Sequence, residues 1–210
     1  MFSCGGMAGA LRIMLCLTLL TYAESQDKCN IPNSGVYDLS GNALWRQETV
    51  TVHSSGLEVY GASKESQSKI VAKKGQTRVQ HFIVEGGTTL TLKYLILANA
   101  MGDNGGSIYV SDSTLNVIGS LFTDNLANEN GGAIYAIGSA TLDFNGTKFT
   151  NNIATLMGSP IYAADTTKLV IVNGTITKSN EASSYGSKDG GVGYLDAGVG
   201  WEVTGVNIEP

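Results

Sequence analysis

Three features of the 210-residue sequence predict an all-β chain wound as a solenoid. First, two stretches read almost alike: GGSIYVSDSTLNVIGSLFTDN from Gly105 and GGAIYAIGSATLDFNGTKFTNN from Gly131. Second, a short alternating motif recurs every 25 to 33 residues. It stands at Leu57-x-Val59-x-Gly61, Leu115-x-Val117-x-Gly119, Leu142-x-Phe144-x-Gly146, Val170-x-Val172-x-Gly174 and Trp201-x-Val203-x-Gly205. Leu90-x-Leu92-x-Tyr94 is a sixth copy with Tyr in place of Gly. Third, the flanking segments repeat with the motif, so the unit is longer than the motif itself.

Each unit resolves into three short strands. Upstream of the motif lie Val50/Val52, Phe82/Val84, Ile108/Val110, Ile134/Ala136 and Ile161/Ala163, with Tyr194 leading a degraded last copy. The motif is the second strand. Leu95/Leu97, Phe122, Phe149 and Ile176 mark the third. Strict alternation means that each strand buries one face and wets the other. The turns lack the regular two-residue signals that a meander of hairpins needs. A coil satisfies the pattern instead: every unit winds once, and each strand pairs with its counterpart one turn away. The expected fold is therefore a parallel β-helix of about six coils with three short strands per coil.

The turns follow from the same alignment. Gly105, Gly106, Gly131 and Gly132, and equivalently Gly190 and Gly191, stand where the chain bends sharply into a strand, a place where glycine tolerates positive φ. Asn99, Asn125, Asn152 and Asn180 close the third strands. They are expected to stack as a ladder, each amide bonding to backbone or to the next amide.

Composition sets wider bounds. Charged residues make up 15%, the net charge is −5, and the 27 glycines follow no collagen-like period. Nothing basic invites nucleic acid as a partner. Arg12, the apolar run Ile13 to Leu20 and the small-residue site ending at Ala23 predict a signal peptide over 1–23. The run is too short to span a bilayer, so no transmembrane segment is expected. Cleavage would remove Cys4 and Cys16 and leave Cys29, which either pairs with another chain or stays a buried thiol. Residues 24–48 are expected as an N-terminal lead-in or cap, and 49–210 as the coil.

GGAIYA followed by FTNNIA (Phe149 to Ala154), and GGSIYV followed by FTDNLA (Phe122 to Ala127), resemble the repeats of the polymorphic outer membrane proteins. FIVEGGTTLTLKYLILANA (Phe82 to Ala100) is similar to the first coils of the wider right-handed β-helix, or pectin-lyase-like, superfamily. The resemblance spans roughly Thr49 to Asn180. It implies a right-handed coil and, by way of the outer membrane relatives, adhesion at a cell surface.

That superfamily includes polysaccharide lyases and hydrolases, so an enzyme has to be weighed. A lyase of this shape needs clustered carboxylates for Ca²⁺ and a basic residue, usually arginine, to take a proton. The arginines are Arg12, Arg46 and Arg78, with none in the best-formed repeats. Asp112, Asp143, Asp165 and Asp196 are scattered in register, only Asp165 and Asp196 agreeing. His53 and His81 show no metal spacing and read as solvent-facing strand residues. No catalytic residue, metal ligand or cofactor site is assigned, and no cofactor is expected. Outward threonines at Thr89, Thr114 and Thr141 fit ordinary β-propensity on a wet face. Asn145-Gly-Thr147 and Asn173-Gly-Thr175 are glycosylation sequons on adjacent coils.

The expected protein is a secreted or cell-surface, non-catalytic β-helix engaged in adhesion or wall and matrix interaction, with a glycan or a surface protein as partner. The alternative is a carbohydrate-active relative that binds or cleaves acidic polysaccharide. The last copy, GYLDAGVGWEVTGVNIEP, is expected to offer an open edge through which copies associate end to end.

Overall fold

Alternation of apolar and polar residues commits almost every segment to a strand, and the structure is all-β with parallel pairing. The computed structural model describes residues 31, 33–40, 44–53, 55–72, 78–177, 179–182 and 193–209, which fall in one unit, Ile31–Pro210.

The strands form four sheets. Sheet I holds Gly35–Asp38, Leu57–Tyr60, Thr89–Lys93, Thr114–Ile118, Thr141–Asn145, Lys168–Val172 and Gly200–Thr204. Sheet II holds Leu44–Gln47, Ser68–Ala72, Leu95–Ala98, Leu121–Thr123, Lys148–Thr150, Thr175–Thr177 and Asn207–Glu209. Sheet III runs from Val50–Val52 through Phe82–Val84, Ile108–Ser111, Ile134–Ile137 and Ile161–Ala163 to Gly193–Leu195. Sheet IV is the two-residue strands Met101–Gly102, Leu126–Ala127, Ile153–Ala154 and Glu181–Ala182. The chain visits sheets I, II and III in turn, then I again, with IV inserted between II and III from Met101 onward. This order, with parallel pairing between successive visits, is consistent with a parallel β-helix.

Pairing is in register. Leu90, Leu115, Leu142 and Leu169 stand one above another, as do Phe82, Ile108, Ile134 and Ile161. These columns are fully buried and form the core. Phe122 and Phe149 stack with centroids 5.2 Å apart, and Phe144 meets Phe149 edge-on at 5.5 Å. Among the described residues, buried polar side chains sit at corners and strand ends. There Ser68 donates to the Leu39 carbonyl at 2.7 Å and Thr147 to the Val117 carbonyl at 3.2 Å.

Several expectations need correction. The central coils carry four strands rather than three, sheet IV being the addition. The stretch 24–48 supplies Gly35–Asp38 and Leu44–Gln47, which extend sheets I and II, so the sheets begin before Thr49. Sheets I and II each hold seven strands. In the fifth copy of the motif the inward residues are Leu169 and Ile171, not Val170 and Val172. Tyr194 points outward, and Leu195 takes the inward place opposite Ala163.

Candidate functional site

The asparagines divide into two kinds. Asn125, Asn152 and Asn180 are buried between sheets II and IV. The Asn125 Nδ2 donates to Asn152 Oδ1 at 2.9 Å, and Asn152 Nδ2 donates to Asn180 Oδ1 at 2.9 Å. Each amide nitrogen also donates to a carbonyl in the preceding coil: Leu97, Phe122 and Phe149, at 3.0–3.1 Å. Asn99 does not belong to this column. It is exposed at φ 59°, in register with Asp124 and beside Ala100, whose backbone N–H donates to Asn125 Oδ1 at 3.1 Å.

The sequon asparagines are both exposed but not equivalent. Asn145 pairs across sheet I with Val172, so Asn173 falls at the level of Gly146, in a left-handed turn at φ 52°. The hydroxyl of Thr147, which the first sequon needs, is fully buried and bonded to Val117.

Gly105 and Gly131 adopt φ 75° and 70°, and a Cβ on either would run into the carbonyl of the strand that follows, at Ile108 and Ile134. Gly106 and Gly132 stack beside them, the N–H of Gly106 donating to the Gly131 carbonyl at 3.0 Å. Gly190 and Gly191 lie outside the described residues, as do Cys29 and the expected signal peptide, 1–23.

His53 is exposed, but His81 is wholly buried and shares a 2.8 Å hydrogen bond with Ser107 Oγ. Burial pushes its imidazole down to about 3, with backbone hydrogen bonds to Ala98 and Ile70 acting the other way. His81 therefore contributes a neutral ring to a corner of the coil, contrary to the solvent-facing reading. The expected match of Asp165 with Asp196 does not hold either: Leu195 stands opposite Ala163, so Asp196 falls at the level of Ala164. Asp112 and Asp165 flank Gly138, accepting from the N–H groups of Ser139 at 2.9 Å and Gly138 at 3.0 Å, so both serve as turn caps. Arg78 sits on the surface, 3.2 Å from Asp103. Among the described residues, no three or more His, Cys, Asp or Glu side chains are placed to hold a metal ion.

What the structure offers for recognition is its outward columns. On sheet I, Thr89, Thr114 and Thr141 are in register and are followed by Lys168. On sheet III, Tyr109, Tyr135, Tyr162 and Tyr194 are in register, and their rings stack face to face with centroids 5.6, 4.9 and 5.0 Å apart. No protein-family model, curated protein or solved structure matches this chain. The tyrosine column carried a sequence signal that the inward pattern overshadowed: the dipeptide Ile-Tyr recurs at Ile108, Ile134 and Ile161, always in the same place in its unit. Among the described residues, no helix is long and apolar enough to cross a membrane.

Proposed function

We propose that this chain is a non-catalytic, right-handed parallel β-helix of the pectin-lyase-like kind, secreted or displayed at a cell surface, which serves adhesion or wall and matrix contact. The observation that carries this reading is the in-register stacking of outward side chains, which turns each sheet into a repetitive, extended face. Such a face makes many weak, equally spaced contacts, and these suit a polymeric partner better than a small molecule. Polar side chains at the corners are engaged in holding the coil, as in the asparagine column and the Asp112 and Asp165 caps. On this reading residues 1–23 are a signal peptide and Asn145 and Asn173 are candidate glycan acceptors. The outermost strands on the C-terminal side, with Trp201 64% exposed and Ile208 51% exposed, form a contact between copies.

A glycan array probed with the purified mature chain, beside incubation with polygalacturonate and Ca²⁺, tests the reading. Retention on glycans without release of unsaturated sugar is the expected result. Release of unsaturated product that disappears in Arg78→Ala would replace it with the carbohydrate-active alternative.

A further inference from the structure

We propose that the column Tyr109–Tyr135–Tyr162–Tyr194 is an oxidative cross-linking site, at which neighbouring phenols couple carbon to carbon and staple adjacent coils together. This inference does not depend on the functional reading above.

The geometry of the column supplies what coupling requires. Two phenoxyl radicals must meet before either is quenched, and their ortho carbons must approach one another. Parallel in-register pairing holds the four backbones one strand spacing apart, ~4.8 Å. The rings are nearly parallel in their stacking, with interplanar angles of 20°, 11° and 9°. With centroids 4.9 to 5.6 Å apart, the ortho carbons of neighbouring rings come within reach of one another when the side chains rotate out of the stack about χ1 and χ2. The column is open to a diffusing oxidant: Tyr194 is 37% exposed and the other three rings are half-buried on an outer face. Burial, and after it the neighbouring phenols and the carboxylates Asp165, Glu129 and Asp196, hold the Tyr135 and Tyr162 phenols above their ordinary value, so each phenol keeps its proton until the electron leaves and then gives it up to water.

The chemistry balances with a peroxide and a haem peroxidase as the oxidising class. Each of two tyrosines loses one electron and its phenolic proton. One bond forms between ortho carbons, and the ring hydrogens displaced there restore both phenols by tautomerisation. Net, two ring hydrogens leave, and one hydrogen peroxide takes them up and departs as two waters. Tyr37, Tyr60 and Tyr94 lie on or beside sheet I, away from the column, and serve as internal controls.

The test is to treat the purified chain with a haem peroxidase and hydrogen peroxide, isolate the monomer fraction, digest it, and map linked peptides by mass spectrometry. A parallel reaction uses photoexcited tris-bipyridyl ruthenium with persulfate, whose small size removes any question of enzyme access. Expected are peptides joining Tyr109 to Tyr135, Tyr135 to Tyr162 and Tyr162 to Tyr194, each lighter than its parts by two hydrogens. Tyr162→Phe, which keeps the stack, should leave the first link and abolish the other two. The urea-unfolded chain should spread its links over Tyr37, Tyr60 and Tyr94 as well. Three outcomes would overturn the proposal: links in the folded monomer distributed as in the unfolded chain, no link within the column under either oxidant, or an unchanged map in Tyr162→Phe.

Discussion

Asn152 gives one amide hydrogen to the Phe122 carbonyl and the other to Asn180, while its oxygen accepts from both the side chain and the backbone of Asn125. Replacing it with alanine strands buried groups in two coils at once. Asn152→Ala should therefore lose about 2–4 kcal/mol in urea denaturation, and a loss under about 0.5 kcal/mol would mean that water replaces the amide. Asn99→Ala, at an exposed left-handed turn, should cost far less, mostly through its φ of 59°. His81 gives a pH signature. Its folded value is about 3 against an ordinary 6.5, so the unfolded chain binds the extra proton between those limits. Stability is then complete above about 6.5 and falls as pH drops, by roughly 1.4 kcal/mol per unit, until about 3. His81→Leu should flatten that part of the profile, once the carboxylate background it shares with the parent is subtracted. An unchanged slope would show that the ring is not the group responsible.

Strand placement could be read from the sequence wherever inward and outward residues differ in polarity, as in Thr114–Ile118, where Leu115 and Val117 alternate with Asn116. It could not be read in Lys168–Val172, because Leu169, Val170, Ile171 and Val172 are all apolar and both phases of the alternation look alike. The Asn173–Gly174 pair then imitated the glycine of the motif and shifted the alignment by one residue. Asn99 misled for a related reason: Asn99, Asp124 and Asn151 all take left-handed φ at one turn position, while the buried amides follow one residue later. Sheet IV escaped because two residues are too few to display a period. The corrected register makes an opposed pair of expectations. Ile171→Asp places a carboxylate in the core and should cost roughly 4 kcal/mol or more, whereas Val170→Asp, on the outer face, should stay within roughly 1 kcal/mol. The reverse order in thermal melts, with Val170→Asp the more damaging, would return the strand to the phase first read from its sequence.

At the scale of the whole molecule, the outermost strands on the C-terminal side differ from the rest. In the central coils the inward positions of sheets I and II are sealed, but Trp201 and Ile208, which continue those columns past Leu169 and Ile176, remain largely exposed. Association between copies through this edge should appear in sedimentation velocity as a weight-average size that rises with concentration. Trp201→Lys should reduce the rise, and a parent chain that stays monomeric throughout the series would remove the contact. The outward columns, by contrast, were only half visible beforehand. The threonines at Thr89, Thr114 and Thr141 stood out by identity, while the tyrosines were hidden within strands recognised for their inward isoleucines.

The cyclic visiting order has a consequence for how the chain acquires its structure. Hydrogen bonds between neighbouring central coils join residues 25 to 31 positions apart, as from Ala100 to Asn125 and from Asn180 to Phe149. These contacts do not wait for a distant part of the chain, so a ribosome that has released one further coil has released what the coil-to-coil bonds need. Growth can then proceed as on a template, each finished turn presenting a row of backbone groups to the next, in the direction of synthesis. The asparagine column would act as a ratchet in this process. An amide set into place at Asn125 leaves its oxygen bonded behind it, to Ala100, and its nitrogen aimed ahead, at a partner that arrives 27 residues later.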